Sequence, residues 1–231
     1  MNRIAILLGV FSLFIGNQLL AEICGKVDVG PAYIHVDVLE SGKTVGRMDM
    51  GGVKSDATVV VWKGLCLKPY ILYGYQNKSR HLFSGGGGIG HYTPITDTIS
   101  ITPSIGCLYT EVKTNLTVHP ENSPFPLDVR ERFRSVTPYL GMDITWCFCP
   151  TWRICAQYQY CWSRTHTKLT SDFFTKNSSS HSWGPSYSLL LEKDLNNKWS
   201  VNVGAAYNIS LSKEKHGIRG YGVKLAIAYW F

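Results

Sequence analysis

The chain has 231 residues, a formal net charge of +7, and 17% charged residues. This length fits one domain of substantial size, and the charged fraction lies below the roughly one quarter that is usual for soluble globular domains. Aromatic residues make up 13% of the chain and there are 22 glycines. The composition therefore disfavours an ordinary soluble domain and favours an apolar, aromatic exterior around a small and polar interior.

The first 21 residues have the features of a secretory signal peptide. Arg3 precedes the apolar run Ile4 to Gly16, and Ala21 supplies a small residue at the expected cleavage site. The run is shorter than the roughly 20 apolar residues that a membrane-spanning helix needs. We therefore expect residues 1–21 to be removed on export, leaving a domain over 22–231. An amphipathic first helix of a soluble protein is the alternative.

Three candidate strands in the first half of the chain have weak patterns. They are Lys26 to Val38, Thr58 to Trp62, and the glycine-rich stretch Phe83 to His91. The run Gly85 to Gly88 is not a phosphate-binding loop, because it lacks the following Lys and Ser or Thr. It is interpreted instead as a strand in which close packing or bending leaves no space for side chains.

Other segments alternate apolar and polar residues with period two, which predicts strands with unlike faces. Aromatic residues cluster near both ends of two of them, as an interfacial girdle requires. The apolar positions run through the segments 67–75, 99–109, 136–148, 152–162, 183–191, 199–211 and 221–231.

The stretch Tyr221 to Phe231 carries the most specific signal. Its odd positions are apolar or aromatic, whereas its even positions are mostly small or polar. The pattern resembles the terminal strand of Gram-negative outer-membrane β-barrels, which ends in Phe and which the barrel-assembly machinery reads as a targeting signal. That resemblance implies a membrane-insertion signal formed by Val223, Leu225, Ile227, Tyr229 and Phe231.

We therefore predict an all-β protein, a transmembrane antiparallel up-and-down barrel in the outer membrane of a Gram-negative bacterium. Ten strands are expected, with eight as the alternative if Thr58 to Trp62 and the glycine-rich stretch do not cross the membrane. Short periplasmic turns are expected near residues 63–68, 94–98, 149–151 and 193–198. Longer outer links are expected at 39–56, 76–82, 114–132, 168–180 and 212–219. A soluble periplasmic sandwich is the rival fold.

Seven cysteines follow the predicted signal peptide, an odd number that leaves at least one free or paired between chains. The densest group is Cys147, Cys149, Cys155 and Cys161, and its spacing is not that of a zinc site. These four are the candidate disulfide cysteines, within hairpins or between chains. This high cysteine content resembles that of envelope proteins in bacteria whose envelope is cross-linked by disulfides. The resemblance implies disulfide-linked envelope proteins as partners.

Positive charge collects in the predicted outer links. Basic side chains at that level can pair with lipopolysaccharide phosphates or with anionic glycans on a host surface. Outer-membrane lipid is the expected surrounding, whereas nucleic acid is not an expected partner of an exported barrel. The candidate anion contacts are Arg130, Arg132, Arg134, Lys213, Lys215 and Arg219.

Signals for catalysis are weak. His166 and His181 lie near the predicted outer rim, and Asp172 with His181 is one conceivable pair. Neither arrangement matches a hydrolase motif, and neither a nucleophile elbow nor a metal triad is present in the sequence. We expect no enzyme activity, no cofactor and no metal.

A barrel of eight to ten strands has an interior largely filled by side chains. The few inward charges are expected to form a plug of ion pairs; they are Lys26, Asp28, Lys68, Asp143, Arg153 and Lys224. The favoured function is a structural or adhesin-like surface role through basic outer loops. The alternatives are a narrow selective channel and an outer-membrane hydrolase acting on lipid or peptide.

Overall fold

A computed structural model describes residues 23–77, 80–118 and 127–231. The predicted signal peptide, 1–21, lies outside the described residues. Within them, ten strands form the architecture, and a two-residue bridge, Thr93–Pro94, lies between the fourth and fifth. The strands are β1 (Cys24–Glu40), β2 (Lys43–Trp62), β3 (Leu65–Asn77), β4 (Arg80–His91), β5 (Ile99–Val118), β6 (Leu127–Cys149), β7 (Trp152–Thr170), β8 (Thr175–Asp194), β9 (Trp199–Leu211) and β10 (Gly217–Trp230).

The sheet closes on itself. Each strand pairs antiparallel with its sequence neighbour, and β1 pairs with β10, with Val29 opposite Ile227. The glycine-rich β4 pairs with both β3 and β5, so it is a full member of the wall. Residues 58–62 form the end of β2. The prediction of a ten-stranded barrel is confirmed, and the eight-strand alternative is wrong because both weak segments are strands of the wall.

The period-two pattern of β10 separates the two faces of the wall. Val223, Leu225 and Ile227 point outward with 52%, 60% and 54% of their surface exposed, whereas Ala226 and Ala228 point inward and are buried. Phe231 donates and accepts a backbone hydrogen bond with Gly25, at 3.0 and 2.9 Å, and so extends the pairing of β1 with β10. The predicted insertion residues therefore lie on the outer face beside the β1–β10 seam.

Outward aromatic side chains mark two levels on the barrel. On β7 they are Trp152 and Trp162, ten residues apart, and on β10 they are Tyr229 and Tyr221, eight apart. Nine to eleven tilted residues are what a strand needs to cross a bilayer, so the two girdles bracket the apolar band. Turns at 63–64, 150–151 and 195–198 lie together at the lower end, as predicted for the periplasmic side.

No helix in the described part of the chain is long and apolar enough to cross a membrane.

The outer links are shorter than predicted, because most residues assigned to them belong to strands. The predicted link 39–56 contains only a two-residue turn, Ser41–Gly42, where both residues have positive φ (49° and 78°). Likewise, 168–180 contains the ends of β7 and β8 with a turn at 171–174. Part of the predicted link 114–132, residues 119–126, lies outside the described residues.

Strands above the outer girdle keep period two but exchange the polarity of their faces. On β1, Val29 and Tyr33 point outward within the apolar band, whereas higher up Ile34 and Val36 are buried inside and His35 points outward. Outside the membrane the barrel exterior meets water, so the apolar face moves to the interior. This exchange made the outer strand ends resemble loops in sequence.

The lower half of the lumen contains a layer of ion pairs, and all six predicted inward charges belong to it. Two pairs connect strands three apart around the ring and so cross the lumen: Lys26 with Glu192 at 2.6 Å, and Lys68 with Asp143. Lys224 contacts Asp28 at 2.9 Å and Asp56 at 2.8 Å along the wall, and Arg153 pairs with Asp194.

The outer half of the lumen contains an apolar cluster. Its five buried members come from four strands, β1, β2, β4 and β5, and they pack against partly buried Met48, Leu72, Phe133 and Ile218. The lumen therefore contains a polar layer and an apolar layer in series. The buried members are Ile34, Val36, Met50, Leu82 and Val112.

Candidate functional site

Cations concentrate on the outward face of β5, β6 and β7, just above the outer aromatic girdle. We call this surface the outer basic patch. It surrounds Glu111 and lies above the outward side chains of Tyr109 and Trp162. Its six cations are Lys113, Arg130, Arg132, Arg134, Arg164 and Lys168.

Strand register brings the patch together. Glu111 of β5 lies opposite Arg134 of β6, and Lys113 lies opposite Arg132. Arg132 in turn lies opposite Lys168 of β7. Directly opposite residues of an antiparallel pair project from the same face with Cβ atoms about 5 Å apart, so one row of side chains spans three strands.

One carboxylate organises three of the cations. Glu111 accepts two hydrogen bonds from Arg132, both at 3.0 Å, and one from Arg134 at 3.2 Å, and it pairs with Lys113 at 3.1 Å. Tyr109 donates a fourth hydrogen bond at 2.9 Å. Glu111 is 14% exposed, whereas the side chains of Arg132, Arg134 and Lys113 are 42–46% exposed. The acid is thus covered while its cations remain open to solvent.

The electrostatics of the patch follow from this arrangement. Burial alone would raise the pKa of Glu111, but hydrogen bonds from Arg132, Lys113 and Tyr109 lower it to about 2. The carboxylate is therefore ionised throughout the physiological range. It cancels one of the three cations around it, so an excess of positive charge remains to attract an anion.

The six candidate anion contacts from the sequence do not form one site. Arg130, Arg132 and Arg134 lie on β6 in the outer basic patch, whereas Lys213 and Lys215 lie in the turn between β9 and β10. β7 and β8 lie between these groups. Arg219 on β10 is held by Asp37 through hydrogen bonds of 2.7 and 3.1 Å. Sequence reasoning missed Lys113 and Arg164 because only the register places them beside β6.

A second polar cluster, on the outward faces of β1 and β2, was not predicted. His35 hydrogen-bonds Asp49 at 2.7 Å and lies 3.4 Å from Asp37, while Tyr33 donates to Asp49. Residues opposite each other in register build it, His35 with Asp49 and Asp37 with Arg47. Assigning 39–56 to a loop concealed this pairing in the sequence.

Neither of the two histidines considered for catalysis is hydrogen-bonded to an Asp or Glu side chain among the described residues. His166 hydrogen-bonds Ser179 at 2.8 Å on the outward face of β7 and β8. Asp172 lies in the turn at 171–174, and His181 lies seven residues below the end of that turn on β8, roughly 20 Å along the strand. Among the described residues, no group of three or more His, Cys, Asp or Glu side chains could hold a metal ion.

All seven cysteines lie in the described part of the chain, and all are free thiols in this structure. Cys147 lies opposite Arg153 and Cys155 opposite Thr145, so the two cysteines are diagonal neighbours on the lumenal face. Cys161 lies higher on β7, opposite Tyr139. Cys149 is exposed beside the lower turn. The structure thus contains no pair among the four candidates, and a disulfide between chains stays a prediction for the exposed thiol.

Known structures share this architecture. The outer-membrane protease OmpT of Escherichia coli is similar with a TM-score of 0.59 at 10% identity, covering 94% of this chain and 99% of OmpT. The translocator domain of the autotransporter NalP of Neisseria meningitidis has a TM-score of 0.50 at 8% identity, covering 98% of this chain and 94% of that domain. At these identities the likeness shows the fold alone.

No curated protein has significant sequence similarity to this chain. A family model described as Protochlamydia outer membrane protein, abbreviated Pom, matches residues 63–226, from the start of the β2–β3 turn into β10. The match covers more than half of the chain and agrees with the closed barrel. It also places the protein in a Gram-negative outer membrane. The chain belongs to the Protochlamydia outer membrane protein family.

Proposed function

We propose that this protein is a plugged outer-membrane barrel with a structural or surface-interaction role, in which the outer basic patch holds anionic groups at the cell surface. The observation that carries the proposal is the contrast between the two faces of the wall. Inward cations are paired with acids, whereas the outer basic patch has six cations, of which three share one acid, Glu111.

The lumenal pairs support a role that does not depend on transport. Lys68 and Lys224 are each 9% exposed and each contacts a carboxylate, so their charges are used inside the wall. A buried charge without such a partner is costly, so each carboxylate compensates the charge of the lysine that it contacts in the lumen. A narrow selective channel, the competing function, would need a path past both lumenal layers.

The surface partners in this proposal are phosphate or sulfate groups. Guanidinium groups bind such oxyanions with two parallel hydrogen bonds, and Arg132 and Arg134 present theirs at the level of lipid headgroups. Lipopolysaccharide and host-surface glycans both carry anions that suit them. The barrel-assembly machinery would act earlier, during insertion. Neither His166 nor His181 has a catalytic role in this proposal.

The test combines anion binding with conductance. Purified barrel in nanodiscs is mixed with dextran sulfate beads at increasing salt, and binding should weaken because exposed charges are screened. The triple variant Arg130→Gln, Arg132→Gln, Arg134→Gln should bind at least about tenfold more weakly. The control Lys63→Gln, Lys193→Gln, Lys198→Gln removes the same charge from the opposite end and should bind like the wild type.

Planar bilayers supply the second measurement. The wild type should give no stepwise current, because both layers of the lumen are filled. Regular conductance steps from the wild type, or an equal loss of bead binding in the two triple variants, would overturn the proposal.

A further inference from the structure

The lipid-facing wall below the outer basic patch contains a groove of about 660 Å³. Its floor is a row of small residues in direct register, Gly87 of β4, Cys107 of β5 and Pro138 of β6. Pro69 of β3 lies opposite Gly87 and continues the row. Four neighbouring strands thus lack a large outward side chain at the same level.

Larger side chains border the groove. Below it lie Ile89, Ile105 and Leu140, which are directly opposite one another and 51–62% exposed. Above it lie Tyr109 and Val136. The groove is therefore an apolar depression in the part of the wall that contacts lipid tails.

The groove and the outer basic patch share two strands. Cys107 is four residues below Glu111 on β5, and Pro138 is four residues below Arg134 on β6, roughly 13 Å in each case. Tyr109 lies between the two surfaces and donates to Glu111 at 2.9 Å. An elongated amphipathic molecule lying along β5 and β6 would meet the cations with one end and the groove with the other.

We propose that this composite surface binds one phosphorylated glycolipid of the outer leaflet, with its phosphates on Arg132 and Arg134 and an acyl chain in the Gly87–Cys107–Pro138 groove. The inference deepens the proposed function, because it assigns the patch a membrane lipid as its anionic partner. Charge complementarity selects the phosphate, and the apolar groove selects an occupant that carries an acyl chain.

A soluble anionic glycan could use only half of this surface. It would contact Arg132 and Arg134 but would leave the groove to bulk lipid. Conversely, a zwitterionic phospholipid could fill the groove but carries less charge for the patch. Of these three ligands, only the glycolipid, with both phosphates and acyl chains, uses the two surfaces together.

The test measures retention of diphosphoryl lipid A on the barrel by native mass spectrometry from detergent micelles. Two related probes test the acyl chains and the phosphates separately. They are lipid A without its phosphates, and the deacylated glucosamine disaccharide bisphosphate. The wild type should retain one molecule of intact lipid A and bind both partial probes at least about tenfold more weakly.

Two variants separate the groove from the patch. Cys107→Phe fills the groove with a side chain that lipid tolerates, and it should weaken lipid A binding about tenfold while leaving the disaccharide bisphosphate and dextran sulfate unaffected. Arg132→Gln with Arg134→Gln should weaken all the phosphorylated or sulfated probes. Val223→Phe, on the opposite wall at a 52% exposed position, is the matched control and should bind lipid A like the wild type.

The outcomes distinguish this inference from the proposed function. If Cys107→Phe and Val223→Phe retain lipid A equally well, the groove is not the site and the inference is wrong, although dextran sulfate binding would still support the proposed function. If the arginine variant keeps both lipid A and dextran sulfate, both proposals are wrong.

Discussion

Glu111 and Asp143 are both carboxylates beside cations, but they lie on opposite faces of the barrel wall. Asp143 faces the lumen, where it meets one lysine, Lys68, and the amide of Gln157 at 2.9 Å. Glu111 faces outward and meets three cations. The lumenal acid neutralises its partner, whereas the outward acid fixes the geometry of a positive surface. Individual side chains thus act according to the face on which the register places them.

The His35 cluster should make the outer end of the barrel sensitive to pH. The hydrogen bond to Asp49 raises the pKa of His35 above its ordinary value of 6.5 and outweighs partial burial, which lowers it. A folded-state pKa above the unfolded value means that protonation stabilises the fold. That contribution is fully present below about pH 6.5 and is lost as pH rises through the raised pKa.

NMR titration of the His35 imidazole in micelles measures this shift. The Asp49→Asn variant should lower the pKa of His35, and His35→Gln should remove the pH-dependent part of its stability. Asp97→Asn, a change in the lower link between β4 and β5, serves as the control and should leave the titration unchanged. A wild-type His35 that titrates at or below pH 6.5 would contradict the assigned hydrogen bond.

At the scale of the strand, β4 shows why a glycine-rich segment can form part of a membrane wall. Tyr139 of β6 is inward and 5% exposed, and its ring lies over the inner faces of β4 and β5. A Cβ on Gly88 would lie 2.4 Å from the Tyr139 hydroxyl and 2.6 Å from the carbonyl oxygen of Ile105. The missing side chain of Gly88 therefore makes space for the tyrosine.

Two glycines of β4 should respond differently to the same substitution. Gly88→Ala creates contacts with backbone and with Tyr139, so it should destabilise the barrel by about 1–3 kcal/mol through overpacking. A Cβ on Gly85 would meet only the flexible ring of Phe83 at 3.0 Å and 3.4 Å before an ordinary contact at 3.8 Å. Gly85→Ala should therefore be close to neutral.

The stability of both variants is measured by urea unfolding in detergent. The folded fraction is read from the difference in gel mobility between heated and unheated samples. Because Gly85 and Gly88 share one strand, the pair controls for the general effect of replacing glycine in β4. Equal urea midpoints for the two variants would show that the contact with Tyr139 does not determine the loss of stability in Gly88→Ala.

At the scale of the whole molecule, the membrane-spanning part was predictable from sequence and the outer part was not. Within the bilayer, lipid forces apolar residues outward along β5, β6, β7, β9 and β10, so period two with a constant phase identifies these strands. Above Tyr33 and Tyr109 the surroundings change to water and the apolar face changes sides. The pattern along Val38 to Lys54 does not match that of the spanning strands, so the sequence predicts a link at 39–56, which contains the upper part of β2, and only its end, 58–62, is predicted as a strand.

The candidate site was predictable in residue type but not in arrangement. Arg130, Arg132 and Arg134 alternate on one strand, so their common face follows from the sequence. Their neighbours Lys113 and Lys168 come from β5 and β7, and only the observed register places them in the same row. The groove at Cys107 depends equally on register, since small residues from four strands must lie at one level.

The two lumenal layers lie in series, which predicts how the barrel could be opened. The polar layer is crossed by Lys26–Glu192 and Lys68–Asp143, and replacing all four residues by Ser removes the pairs without leaving an unpaired charge. The apolar layer would still close the lumen. This variant should therefore stay non-conducting in a planar bilayer.

Conductance should appear only when both layers are removed. Met50→Ala with Leu82→Ala opens space in the outer half, since Met50 is 1% and Leu82 is 7% exposed, but alone it leaves the ion-pair layer intact. Combined with the four serine substitutions, it should give stepwise currents. Heat-dependent gel mobility verifies that each variant remains a folded barrel. Currents from a variant that lacks only one layer would show that the remaining layer does not close the lumen. If the variant that lacks both layers is folded but does not conduct, further side chains close the lumen.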